Sequence, residues 1–471
     1  MPSATCPETL REVWTSERGS MAHETATTRW PKIVQNMVDD LEQSLGQLNS
    51  DKTEHIEEGR RIQASLRIIN GEIMQDKQLH PLSSDGCPDI DSYNAQLESF
   101  GSMTWHNCPW LFSECYLYRC VQTLFARSQF WRDHDIFARQ KLNAFVASHA
   151  AVQELCERYA SLTEAGALTK AAAADDDDDD AARRLLFSEM TEMALWGNAT
   201  DLSLLSTLGS SSSSSSSSSH NHNPDDMRAL QGNAAICAGR ARIVGNDARA
   251  AWAYLRSETH RGRRTERRVD VVLDNAGFEL LTDLVYALYL LDCGLASAVR
   301  LHVKSMPWFV SDVTPRDIDV LLAALADPAV FPAAANPSVR ALAGRLRGCY
   351  ESGLVAVAEH PFWTTGFDFQ ALPAVAPELY RDLLDSALVV FKGDLNYRKL
   401  VRDANWPHTL PFKDAIGPLR GGMKILALRT NKADVCVGLS EETLERVENE
   451  APGKAWVRNG RYAVISFSDG A

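Results

Sequence analysis

This chain lacks long hydrophobic runs. Its most apolar stretches, such as Leu280–Leu291, are too short to span a bilayer and carry charge at Asp283, so no membrane-spanning helix is expected. The first residues have no positive start followed by an apolar block, so no secretory signal is expected either. Cysteine patterning is also missing. Ten cysteines lie between Cys6 and Cys436, none in a Cys-x-x-Cys pair, and Cys115 and Cys120 have no histidine pair nearby. That excludes ordinary zinc-finger spacing and suggests reduced, mostly buried thiols in a cytosolic protein. There is no Gly-x-Gly-x-x-Gly loop, no Gly-x4-Gly-Lys-Ser/Thr loop and no Gly-x-Ser-x-Gly elbow. Dinucleotide binding, ordinary P-loop chemistry and the serine-hydrolase elbow therefore have no support. Basic excess is absent too. The net charge is −14, and six of those charges sit in Asp175–Asp180, leaving −8 for the rest. Such a surface argues against wrapping nucleic acid or coating an anionic membrane. The basic stretch His260–Arg268 has no interleaved aromatics and reads as an exposed loop.

What is present is enough apolar residue, 45% of 471, for a large core and two or three domains. Residues 1–185 read as a helical region. After Thr27, Thr28 and Arg29, the segment from Trp30 and Pro31 carries Ile33, Val34, Met37, Val38, Leu41 and Leu45 at helical spacing, with proline in the first turn. Residues 110–145 continue in this style, and their aromatics from Trp110 to Trp131 read as helical core. Two low-complexity inserts, about residues 163–182 and 209–225, read as disordered, solvated loops. His220 and His222 in the second are not expected to bind metal, and its serine run offers no base to activate a nucleophile.

Residues 186–471 read as an α/β domain. Short β-branched or apolar runs at Val269–Leu273, Val299–Val303, Val389–Lys392, Ile425–Arg429 and Tyr462–Phe467 alternate with helical patterns. This predicts right-handed crossovers and a mostly parallel sheet, with ligands bound beyond the carboxyl ends of the strands. The residues at those ends carry the chemistry. The first run is followed by Asp274, Asn275 and Glu279, the second by Lys304 and Asp312. The third leads into Asp394–Lys399, and the fourth into Thr430–Lys432. Asp274, Asn275 and Asp312 are hard oxygen donors suited to magnesium or manganese, and no histidine or cysteine stands with them. Glu279 lies four residues after Asn275, so both can face one side of a helix start. Arg398 and Lys432 are cations suited to a phosphate. Carboxylates for a metal and cations for an anion make a phosphoryl-transfer composition.

The strings DNAGFEL, FKGDLNYRKL and LRTNKADVCVGL, with RWPKI, PWLFSECYLYR and LWGNATDLSLL, together resemble the damage-control phosphatase family. Arg429–Lys432 resembles the Arg-Thr-x-Lys signature of its subfamily III. The resemblance runs from about residue 19 to the end, apart from the inserts. It implies a helical region packed on a Rossmann-like three-layer α/β/α domain. It also implies a metal-dependent phosphatase acting on sugar phosphates such as fructose 1-phosphate and fructose 6-phosphate. A manganese, nickel, cobalt or magnesium ion would sit on Asp274, Asn275 and Asp312. The substrate would meet Asp274, Asn275, Glu279, Asp312, Asp394, Leu395, Asn396, Tyr397, Arg398 and Lys432, with Asp274, Asp312 and Lys432 catalytic. The nucleophile is water or the Asp274 carboxylate; Ala276 stands where a haloacid dehalogenase phosphatase has its second aspartate, which favours water. The loop Gly417–Lys424 looks long, which leaves substrate range open. A monomeric, cytoplasmic or nuclear enzyme without nucleic-acid or membrane partners is expected. The alternative is a protein-glutamate methyltransferase using S-adenosylmethionine.

Overall fold

The computed structural model describes residues 10–164, 168, 177–197, 239–260 and 267–471. The serine-rich insert, His220, His222, Cys6, Cys237, Asn198–Asp201 and residues 261–266 of the basic stretch lie outside them.

Seven strands form one sheet in the order β1-β7-β6-β5-β2-β3-β4. They are β1 (Ile243–Asn246), β2 (Arg268–Val272), β3 (Ala298–Val303), β4 (Val355–Glu359), β5 (Leu388–Lys392), β6 (Ile425–Thr430) and β7 (Ala463–Ser468). All pairings are parallel except β6 with β7. The expected mostly parallel sheet is therefore present. Five of its strands match the five apolar runs, and β1 and β4 add one at each edge. Central strands β5 and β6 are buried along their whole length, because helices cover both faces. From β2 the chain runs outward through β3 to β4, then returns to β5 on the other side of β2. The carboxyl ends of β2 and β5 thus flank the switch point, where an open α/β sheet leaves a crevice.

One face is covered by the helices His149–Glu164, Asp177–Gly197, Ala248–His260, Phe278–Asp292 and Pro337–Glu351. Phe278–Asp292 is buried all round, and Leu280, Leu281, Leu284, Leu288 and Leu290 each contribute about 1.5–3 kcal/mol of burial. Pro377–Leu384 and the segments around Phe412 and Val447 cover the other face. The helix Asp177–Gly197 runs through residue 185 without interruption. Its first turn takes in Asp177–Asp180, so this end of the first insert is helical rather than looped. Asp180 accepts from Trp252 Nε1 at 3.1 Å and pairs with Arg256.

The helices Trp30–Gly46, Thr53–Met74, Asp89–Phe100 and Trp110–Ala126 form a layer over the carboxyl-end rim. Trp30–Gly46 buries Ile33, Val34, Met37, Val38, Leu41 and Leu45, the stripe its spacing predicts. Trp110–Ala126 is almost wholly buried, so its aromatics are core, whereas Phe130 beyond it is exposed. This core also takes in Trp308 and Val310 from the loop beyond β3, Leu395 from the helix Gly393–Leu400 that follows β5, and Ala433 from the loop beyond β6. The helical layer therefore rests on the segments that carry the candidate chemistry.

Candidate active site

β2 ends at Val272, and Asp274 and Asn275 follow it. The loop after β3 returns beside them. Asn275 bridges to Asp312, Ala276 N–H donates to the Ser311 carbonyl at 2.7 Å, and Val313 N–H donates to the Asp274 carbonyl at 2.8 Å. Two loops far apart in sequence are thus stitched so that their carboxylates stand side by side. The turn is sharp: Phe309 and Val310 have φ of 44° and 71°. For a β-branched valine that is a strained conformation, costing on the order of 1–3 kcal/mol.

Asn275 is oriented from three sides. Its Nδ2 donates to Asp274 Oδ2 at 3.0 Å and to Glu279 Oε2 at 2.7 Å, and its Oδ1 accepts from Ser311 Oγ at 2.5 Å. Glu279, expected to share a side with Asn275, does so, but it is fully buried behind the site. Its partner there is Lys392 Nζ at 3.3 Å, which also holds Asp283 at 2.9 Å and donates to the Ala194 carbonyl. Burial pushes the Asp283 carboxyl up to about 7 against the pull of Lys392, with Glu279 adding to the rise.

After β5, Gly393 has φ of 83°, and a Cβ there would lie 1.8 Å from Asp274 Oδ2. Only glycine lets this strand end pass the carboxylate. Asp394 follows, and its Oδ1 accepts from Arg429 Nε at 2.7 Å and from Lys432 N–H at 3.1 Å. Arg429 also donates to the Ala433 and Val435 carbonyls and lies 4.4 Å over the Tyr397 ring. The Arg-Thr-x-Lys segment is therefore built around a buried arginine that shapes the turn carrying Lys432.

These segments enclose one small cavity of about 50 Å³, room for a few waters. It is lined by Asp274, Asn275, Asp312, Asp394, Leu395, Arg398 and Lys432, all anticipated from the sequence, and by Arg29, Trp110, Glu114 and Phe309, which were not. The four additions come from the helical layer and the strained loop. The strings RWPKI and PWLFSECYLYR contain three of them, but helical periodicity marks only core there. Three anticipated residues stand behind the cavity instead. Glu279 is one. Asn396 Nδ2 donates to the Val272, Leu273 and Lys392 carbonyls and ties β2 to β5. The Tyr397 hydroxyl accepts from Val437 N–H at 3.1 Å. The loop Gly417–Lys424 lies at the amino end of β6, and none of its residues lines the cavity.

Arg398 reaches the wall with its guanidinium engaged. It makes a bidentate pair with Asp403 at 2.8 and 3.1 Å, donates to Glu114 Oε2 at 2.9 Å and lies 3.7 Å over the Trp110 ring. Burial opposes its charge, but the Asp403 and Glu114 carboxylates hold it well above the usual guanidinium range. Lys304 Nζ lies 3.4 Å from Asp312 Oδ2 and donates to the Leu273 carbonyl.

The donor set fits a hard divalent cation. Two carboxylates and a carboxamide lie together, and neither histidine nor cysteine lines the cavity. Among the described residues no group of three or more His, Cys, Asp or Glu is placed to hold a metal ion, so the candidate donors here are the two carboxylates and the Asn275 carboxamide.

Comparison with known proteins settles the family. The damage-control phosphatase ARMT1-like domain matches residues 25–447. The chain belongs to this family. Damage-control phosphatase ARMT1 of Mus musculus is 31% identical over 96% of this chain and 97% of its own length. The proteins of that name from Danio rerio and Homo sapiens are 32% and 30% identical, covering 96% and 95% of this chain and 95% and 96% of their own. Membership supports a metabolite-repair phosphatase. No helix among the described residues is long and apolar enough to cross a membrane.

Proposed function

We propose that this chain is a divalent-metal-dependent phosphatase that hydrolyses sugar phosphates such as fructose 1-phosphate and fructose 6-phosphate. The observation that carries the reading is the convergence of Asp274, Asn275, Asp312 and Lys432 on one cavity at the sheet's switch point. A manganese, nickel, cobalt or magnesium ion held by Asp274, Asn275 and Asp312 would supply charge neutralisation at phosphorus when bound. Lys432 meets charge on the phosphoryl oxygens as a point cation, held in place by the Arg429–Asp394 pair. Glu279 and Ser311 fix the Asn275 amide, and so the geometry of the neighbouring carboxylate. Water is the attacking group: Asp274 Oδ2 already accepts from Asn275, and Ala276 leaves the chain without a second acid at that turn. Trp110, Phe309 and Leu395 form an apolar wall that limits entry of bulk solvent.

The methyltransferase alternative has no observation in its favour. No glycine-rich loop follows β2, and four carboxylates line the cavity. The test is phosphate release from a panel of sugar phosphates after chelation, with single metals added back. Metal-dependent release from hexose or pentose phosphates is expected. A folded protein that releases no phosphate with any of the metals would overturn the reading.

A further inference from the structure

Three cations line the cavity, and they are not equivalent. Arg398 has its planar fork taken by Asp403 and its remaining donor edge on Glu114, so two carboxylates offset its single charge. Lys432 is a point charge on a turn shaped by Arg429. The third is Arg29, which comes from the helical layer, more than 200 residues before the first strand.

Arg29 ends an unusual turn. Residues Thr25–Arg29 are π-helical, and Trp30 N–H donates to the Thr25 carbonyl five residues back. Such a turn holds one more residue than an α-helical one, so it rotates the side chains on either side of it, and it recurs at functional sites. Its consequence here is specific. Trp30 is fully buried, with Nε1 3.4 Å from Glu114 Oε1, and its neighbour Arg29 stays half-exposed and lines the cavity. The Trp30–Glu114–Arg398 chain anchors this turn to the strand-end segment it faces.

The pairing of the cavity's charges shows what Arg29 adds. Arg398 is spent on Glu114 and Asp403, Arg429 on Asp394, and Lys304 stands by Asp312. A phosphate ester entering with two negative charges then meets Lys432 and Arg29 as the lining cations outside these ion pairs. Arginine presents two parallel donors to a phosphate, which lysine cannot.

Resting on the phosphatase reading, we infer that Arg29 is a phosphate-binding residue of this site, so that the helical layer supplies part of the active site as well as covering it. The phosphoryl group is then held between Lys432 from the sheet and Arg29 from the helical layer. Arg398 keeps the wall between them in place.

The test is binding of inorganic phosphate to the full-length, metal-loaded chain by calorimetry, comparing wild type with Arg29→Ala and Arg29→Lys. Loss of a charge-assisted contact predicts about 10- to 100-fold weaker phosphate binding for Arg29→Ala. Arg29→Lys should fall between. Added guanidinium should restore part of the Arg29→Ala loss and none of a Lys432→Ala loss, a rescue that a packing role would not give. Equal phosphate affinity in the wild type and both variants would overturn the inference. Because binding is read without turnover, this outcome is distinct from failure of the phosphatase reading, which shows as no phosphate release by the wild type.

Discussion

Asp270 and Asp274 stand four residues apart, one inside β2 and one just past its end, and their surroundings differ in kind. Asp270 is fully buried among donors: His302 Nε2 at 2.8 Å, Arg268 Nε at 2.7 Å and the Ser386 hydroxyl. Arg268 and Arg300 in turn share Asp382. The constellation contains Asp, His and Ser, but it is closed on itself and none of its members lines the cavity. Asp274 accepts from the Asn275 amide and walls a cavity that the like-charged Asp312 and Asp394 also line. The lesson is that residue type alone does not mark chemistry. The first cluster spends its polarity on joining β2, β3 and the chain before β5. The second gathers carboxylates on one cavity, with Lys304 beside Asp312 and Arg429 on Asp394 offsetting part of the repulsion and a bound cation placed to offset more.

The sharpest way to break this comparison is to remove one aspartate from each side. Asp274→Ala should lower phosphatase turnover by about 10³-fold or more. Its melting temperature without metal should hold or rise, since a repelling charge has gone. A variant with near-normal turnover would sink the site assignment. Gly393→Ala reaches the same carboxylate from outside. Its Cβ would sit 1.8 Å from Asp274 Oδ2 at φ of 83°. Turnover should collapse with it, and unfolding should cost about 2 kcal/mol less.

How much of this was legible in the sequence follows from which forces leave a local pattern. The strand β2 and the helix after it were visible because a buried parallel strand reads as a β-branched run. The stripe from Ile33 to Leu45 was visible because burial has the helical period. Asp274 and Lys432 were visible because they lie two residues past strand ends, and Asp312 because it is a carboxylate in the loop after β3. Arg29, Trp110, Glu114 and Phe309 were not, because they reach the cavity through tertiary packing of a separate layer. β1 and β4 were missed for a related reason: an edge strand is short and half-exposed, as the pattern Val355–Glu359 shows, and leaves a weak signal. Tyr397 and Asn396 have the residue types of ligands, and only coordinates show them turned to Val437 and to the ends of β2 and β5.

On the other side of the comparison, Asp270→Asn should leave turnover within about twofold and cost roughly 3 kcal/mol of stability, as breaking a buried ion pair does. The pH dependence carries a sign. Burial alone would raise the Asp270 carboxyl, but His302, Ser386 and Arg268 together hold it below its ordinary value. A carboxyl lowered on folding adds stability above its unfolded pKa of about 3.9, and this is lost as pH falls through the folded value. Wild type should therefore lose stability on acidification below about pH 4 more steeply than Asp270→Asn, measured by denaturant unfolding across that range. Parallel acid limbs in the two proteins would show that the pair contributes nothing.

The finest test asks whether the open cluster depends on the groups behind it as well as on its own carboxylates. Ser311 donates to Asn275 Oδ1, and with that oxygen fixed, Nδ2 can serve only Asp274 and Glu279. Ser311→Ala removes one hydroxyl and leaves every charge in place. The amide is then free to rotate, and the Asp274 oxygen loses a fixed neighbour. Loss of such an outer partner typically weakens metal binding about 10-fold or more, against about 1 kcal/mol in stability for one hydrogen bond. Manganese titration by calorimetry or by electron paramagnetic resonance reads the affinity directly. A reduced affinity with a near-normal melting temperature would mean that orientation of Asn275 is part of the site. An unchanged affinity would mean that Asp274 and Asp312 hold the ion without it, and Asn275 would drop from the ligand set.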